Sequence, residues 1–136
     1  MEAYLDNSAT TRCLESVRDV VVKTMMEDYG NPSSRHTKGV EAERYLREAR
    51  ETIAATMKVS EKEIFFTSGG TESNNLAIFG AVQARRRLGN KIVTTAAEHD
   101  SVLNPCRELE KQGFQVVYLK PDGTGRLPEE ALFDAI

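Results

Sequence analysis

Short apolar runs that alternate with longer helical patterns constrain the fold of this chain more than any other feature of its sequence. Strand-like runs occur at residues 64–67, 92–95 and 116–119, and each is followed by a turn and a helical segment. Such alternation is typical of βαβ units, in which crossover helices join parallel strands. The second half of the sequence therefore predicts an α/β fold with a mostly parallel sheet.

Helical periodicity predicts further elements on either side of these runs. Apolar residues recur at three- and four-residue spacing in the first helix, at Leu14, Val17, Val21 and Met25. A second helix is expected at about residues 39–57. A third helix at about residues 72–88 is apolar on nearly all sides in its first half, which is typical of a helix buried against other elements.

Charge and composition exclude several classes of partner. Lysine plus arginine total 18 against 21 acidic residues, a net charge of −3, so we expect no nucleic-acid surface and no basic membrane anchor. The apolar runs fall far short of the roughly 20 residues that span a bilayer. Cys13 and Cys106 lie far apart without CxxC spacing, so no metal site is predicted. We expect a cytoplasmic protein.

The strongest single motif is TSGGTESNN at residues 67–75. Two glycines between a strand-like run and a helix leave backbone N–H groups without acceptors at the helix N-terminus, where they could bind a phosphate. The motif is neither GxxxxGK[ST] nor GxGxxG. From the residues alone, a plain turn capped by Ser68 or Thr71 explains it as well as a phosphate cradle at Gly70 and Thr71.

His99 is the second candidate, because it follows the next strand-like run. In a parallel sheet the loops after residues 67 and 95 emerge at the same carboxyl edge, where α/β sheets bind ligands. An imidazole there could stack on a planar ring or move a proton near neutral pH. A histidine held by local hydrogen bonds at a helix start is an equally good interpretation.

Two polar loops are weaker candidates for lining a site. Residues 6–11 include Asn7, and residues 30–36 include Asn31 and His36. Small polar residues in non-periodic segments line many sites, but they are equally the residues of turns. Cys13 and Cys106 are interpreted as small packing residues.

Taken together, four segments resemble the cysteine desulfurases of the NifS/IscS type, within the class V aminotransferase group of pyridoxal-phosphate enzymes. They are YLDNSATT at residues 4–11, GNPSSRH at 30–36, FTSGGTESNNLA at 66–77 and EHDSVL at 98–103. The resemblance covers nearly the whole chain but only about the first third of a family member. It implies a truncated three-layer α/β sandwich with a mostly parallel sheet, the large domain of the pyridoxal-phosphate-dependent transferases. Residues 1–30 would be an N-terminal arm and helix, and residues 31–136 an incomplete part of that domain.

The resemblance also implies an activity and a cofactor. Gly70 and Thr71 would hold the phosphate of pyridoxal 5′-phosphate, and His99 would stack on its ring and take part in proton transfer. The loops with Asn7, Asn31 and His36 would lie near the active site. A family member moves sulfur from L-cysteine to a protein cysteine, releases L-alanine, and works as a homodimer that supplies acceptor or scaffold proteins of iron–sulfur cluster assembly.

The sequence also departs from the family pattern. None of its lysines stands in the setting of the lysine that carries the cofactor, and neither cysteine matches the nucleophile. We therefore expect both groups beyond Ile136, and no desulfurase activity from these residues alone. We also expect the run at 64–67 to lose its ladder partners, which later strands supply in that fold. Alternatives are a related enzyme such as a selenocysteine lyase, a non-catalytic phosphate-binding α/β module, or a domain that retains only a dimer surface.

Overall fold

The structure, a computed structural model, describes residues 3–136. Within these residues, five helices and two strands follow one another in the order α1 (Glu15–Met26), α2 (Thr37–Met57), α3 (Gly70–Arg85), β1 (Lys91–Thr95), α4 (Asp100–Lys111), β2 (Gln115–Leu119) and α5 (Glu129–Ala135), with a short 3-10 turn at Glu61–Glu63. No helix among the described residues is both long and apolar enough to cross a membrane.

The chain divides into two compact units, Met1–Phe65 and Phe66–Ile136. The first contains α1 and α2, and the second contains both strands with α3, α4 and α5. The predicted boundary after residue 30 concerns an N-terminal arm and a larger domain, and it stays a prediction.

The second unit is built on a parallel βαβ crossover. Strands β1 and β2 pair in parallel, with Lys91 opposite Gln115 and Thr95 opposite Leu119, and α4 connects them. One face of α4 buries Cys106 and Leu109, and Leu119 of β2 is buried as well. The prediction of an α/β fold with a parallel sheet is confirmed.

The strand predicted at residues 64–67 is wrong for this chain. In the part of the chain that the structure describes, this run forms no ladder, and the sheet has two strands. Phe65 is 71% exposed and Phe66 is 46% exposed. A strand requires a hydrogen-bonded neighbour, so a short apolar run alone does not create one. That this run stands outside the sheet agrees with the expectation drawn from the family resemblance.

The expectation that the third helix is a buried one is also wrong here. Helix α3 packs mainly against α4, and none of its described residues is buried. Leu76 is 54% exposed. A two-stranded sheet with its helices covers too little surface to enclose an apolar helix.

In the first unit, a close backbone approach fixes the loop at residues 30–36. A side chain at Gly39, in the first turn of α2, would overlap the backbone oxygen of Ser34, and one at Gly30 would overlap that of Lys38. The loop is further held by Asn31, whose Oδ1 accepts a hydrogen bond from Ser33 N at 2.9 Å. Glycine is therefore required at both positions, because a Cβ atom would overlap the neighbouring backbone.

We expect Gly39→Ala to destabilise the full-length protein by about 1–3 kcal/mol or more, because neither backbone segment can yield without disturbing the loop. Gly80→Ala is the matched control, since Gly80 is also helical and a side chain there meets nothing within 4 Å. It should be neutral or stabilising by up to about 1 kcal/mol. Urea unfolding curves measure both, and equal midpoints for the two variants would contradict the assignment.

A groove between two helix N-termini as candidate active site

In the second unit, α3 and α4 flank an open groove of about 630 Å³. Three residues of α3 line one side of it, and His99 with two residues of α4 lines the other: Thr71, Asn75 and Phe79 from α3, and Ser101 and Asn104 from α4. Thr71 belongs to the first turn of α3, and His99 is the residue immediately before α4. The groove therefore brings together two residues that the sequence analysis singled out separately.

The N-terminus of α3 is open to a ligand. Its N-cap residue is Gly69, which makes no side-chain capping bond, and a side chain at Gly69 or Gly70 would meet nothing within 4 Å. Within residues 3–136, the backbone N–H groups of Gly70 and Thr71 find no acceptor. The interpretation of this turn as one capped by Ser68 or Thr71 does not hold, and the free donors suit an anion.

Ser68 instead contacts Glu72, one turn into the same motif. Both Ser68 Oγ and Ser68 N donate hydrogen bonds to Glu72 Oε2, each at 2.6 Å. The hydroxyl bond and then the backbone bond lower the pKa of the Glu72 carboxyl below its ordinary value. The ionised carboxylate holds the turn in shape and leaves the donors of Gly70 and Thr71 free.

His99 occupies the N-cap position of α4. Its Nδ1 accepts a hydrogen bond from Ser101 N at 3.0 Å and lies 2.9 Å from Ser101 Oγ. Since Nδ1 acts as an acceptor, the proton of the neutral ring resides on Nε2. The local hydrogen bonds that the sequence analysis weighed against a functional role are present, yet they occupy only one side of the ring.

The structure reveals two residues whose part in the site the sequence reasoning missed. Ser101 is buried at 7% exposure, and its Oγ accepts a hydrogen bond from Asn74 Nδ2 of α3 at 2.8 Å. Both residues lie in motifs quoted above, but no local pattern links positions that are 27 residues apart in sequence. Only the packing of α3 on α4 joins them.

The three loop candidates lie in the first compact unit. Asn7 donates from Nδ2 to Tyr4 O at 3.3 Å, and Asn31 closes the turn already described. His36 is the N-cap residue of α2 but makes no side-chain capping bond. Their place near an active site stays a prediction.

The two cysteines differ in their surroundings. Cys13 is exposed, whereas Cys106 is buried at 1% exposure on the inner face of α4. Burial, followed by the nearby charges of Glu110 and Glu98, raises the pKa of the Cys106 thiol above its ordinary value. Cys106 is therefore a packing residue and a poor nucleophile.

Among the described residues, no group of three or more His, Cys, Asp or Glu side chains could hold a metal ion. The groove is lined by Thr71, in the first turn of α3 beside the free backbone donors, and by His99 at the start of α4. This set suits a ligand that combines a phosphate with a planar ring.

The chain is similar in sequence and in structure to known proteins. The aminotransferase class-V family profile matches residues 3–136. A cysteine desulfurase IscS of Dictyoglomus turgidum is 44% identical over 135 residues, which are 99% of this chain and 34% of that protein. The solved structure of a NifS-like protein matches 100% of this chain and 37% of its own length, with a TM-score of 0.90 and 38% identity.

A third match is a structure described as SspA in complex with cysteine. It covers 95% of this chain and 37% of its own length, with a TM-score of 0.84 and 36% identity. The chain thus spans about a third of the length of the curated relatives it matches. The fold of the described residues corresponds to one part of those longer proteins.

Proposed function

This chain belongs to the class-V aminotransferase family, and from that premise we propose that it forms the cofactor-binding part of a cysteine desulfurase. Members of this family are pyridoxal 5′-phosphate enzymes. The single observation that carries the proposal is the groove in which the open N-terminus of α3 and the imidazole of His99 lie together.

The residues present fit that cofactor. Gly70 and Thr71 would donate their free N–H groups to the phosphate, with the partial positive charge of the helix N-terminus adding to the attraction. The hydroxyl of Thr71, which lines the groove, would supply a further donor. Glu72 would keep the turn in this shape through its bonds to Ser68.

His99 would stack on the ring of the cofactor and move a proton at Nε2, because Nδ1 is already engaged by Ser101. When bound, pyridoxal phosphate supplies a ring that accepts electron density from the substrate. The protein contributes binding, orientation and proton transfer.

The proposed reaction takes L-cysteine and a protein thiol to L-alanine and a protein persulfide. The carbon–sulfur bond of the substrate breaks, and a sulfur–sulfur bond forms on the enzyme. We propose that the lysine that carries the cofactor and the cysteine that accepts sulfur come from chain outside these 136 residues. In support, Lys111 of the groove is paired with Glu108 at 2.9 Å, and Cys106 is buried.

The wider assignments follow the family in the same way. We propose a homodimer, with Asn7, Asn31 and His36 near the active site, that delivers sulfur to acceptor or scaffold proteins of iron–sulfur cluster assembly. A cytoplasmic location and a part of the large domain formed by residues 31–136 belong to the same proposal.

The experiment measures alanine release and cofactor absorbance in the full-length protein supplied with L-cysteine. We expect stoichiometric pyridoxal phosphate and alanine formation that depends on L-cysteine and not on L-serine, which lacks the sulfur. Peptide mapping should find the persulfide on a cysteine other than Cys106. A protein that binds inorganic phosphate but no pyridoxal phosphate would be the non-catalytic module, and turnover of L-selenocysteine alone would identify a selenocysteine lyase.

A further inference from the structure

A hydrogen-bonded chain of three side chains runs from Asn74, in the second turn of α3, through Ser101 to His99 at the candidate active site. Asn74 Nδ2 donates to Ser101 Oγ at 2.8 Å, and Ser101 Oγ lies 2.9 Å from His99 Nδ1. Ser101 is buried, and Asn74 is half-buried. A partly buried polar network that crosses between two helices fixes the groups at its end more firmly than any one bond does.

The direction of each bond follows from the donors available. The amide nitrogen of Asn74 can only donate, so Ser101 Oγ accepts from it and retains its own proton for His99 Nδ1. Ser101 N donates to the same ring nitrogen at 3.0 Å. Two donors from one residue thus converge on Nδ1, and a proton on that atom would oppose both.

We propose that Asn74 and Ser101 are positioning residues that hold His99 as the Nε2–H tautomer with a fixed ring orientation. The kinetic consequence rests on the proposed function, because it requires that Nε2 serve the bound substrate or cofactor. The state of the ring itself does not depend on that function.

Helix capping does not account for the whole network. The capping bond of α4 runs from the backbone N–H of Ser101 to His99 Nδ1, so any residue except proline at position 101 could supply it. The hydroxyl of Ser101 and the amide of Asn74 are additional to that bond. Substitutions at these two positions therefore test positioning while the capping donor stays in place.

The test uses full-length protein without cofactor, in which the histidine rings carry ¹⁵N and His99 is assigned from a His99→Asn variant. In the unsubstituted protein we expect Nδ1 to give the signal of an unprotonated acceptor. In Ser101→Ala and Asn74→Ala one of the two donors to Nδ1 is lost or weakened while the backbone donor stays in place. The ring signals should therefore shift part of the way toward those of a mixture of tautomers, and Ser101→Thr should restore them. Asn90→Ala is the control, because Asn90 is exposed and its side chain bonds to nothing among residues 3–136.

Turnover of L-cysteine by the cofactor-loaded enzyme gives the second readout. We expect Ser101→Ala to lower kcat by up to about 10-fold with little change in KM, as the loss of one hydrogen bond would do. Because Asn74 acts through Ser101, the double variant should be no slower than Ser101→Ala.

A protonated Nδ1 in the unsubstituted protein, or ring signals unchanged in both alanine variants, would overturn the inference. A protein that shows the expected ring signals but turns over no L-cysteine would reject the proposed function and leave the tautomer assignment in place.

Discussion

Replacing His99 by asparagine is expected to lower kcat for alanine formation by about 10²–10⁴-fold, the usual contribution of a positioned acid–base group. Asparagine is among the preferred N-cap residues, so the variant removes the imidazole while its side-chain oxygen can still accept from Ser101 N. We therefore expect the free energy of unfolding to change little. Steady-state kinetics and urea unfolding of the full-length protein measure the two effects.

His99→Ala separates the ring from the cap. It should show the same loss of kcat and, in addition, lose about 1 kcal/mol of stability, because alanine cannot cap α4. A kcat within about threefold of the parent in His99→Asn, with full cofactor occupancy, would remove His99 from the reaction.

Gly70→Pro is expected to weaken pyridoxal-phosphate binding by about 10–100-fold, the loss of one hydrogen bond to a charged group. Gly70 is the first residue of α3, the position at which proline is best tolerated in a helix. Its N–H has no partner among residues 3–136, so the substitution removes a donor that folding does not use. Fluorescence titration with pyridoxal phosphate gives the dissociation constant.

Two comparisons sharpen this result. Pyridoxal, which lacks the phosphate, should lose much less affinity, because the missing donor is directed to the phosphate. Gly70→Ala keeps the N–H and adds one methyl group in open space, so it should weaken binding less than proline does. Equal losses for pyridoxal and pyridoxal phosphate would show that the N-terminus of α3 does not bind the phosphate.

Local sequence patterns predicted most of the secondary structure. The apolar spacing around Leu14 and Val17 places a helix where α1 lies, and the runs at 92–95 and 116–119 become β1 and β2. These elements depend on neighbours within a few residues, which the sequence displays directly. The same holds for the glycine pair at the start of α3 and for His99 ahead of α4.

Where the sequence analysis was wrong, the outcome depended on distant partners. Residues 64–67 have the composition of a strand but belong to no sheet within residues 3–136. Helix α3 has the composition of a buried helix, but none of its described residues is buried. Propensity and periodicity describe what a segment can become. Whether the segment forms that structure depends on the strands and helices that pack against it in the folded protein.

By itself, the sequence determined the fold class, the family and the two motifs at the helix N-termini, because each is recognised from short runs of neighbouring residues. The tertiary structure decided that Thr71 and His99 share one groove and that hydrogen bonds connect Asn74 through Ser101 to the imidazole. Those relations depend on how α3 packs against α4, and a hydrogen bond between side chains 27 positions apart exists only once that packing has formed.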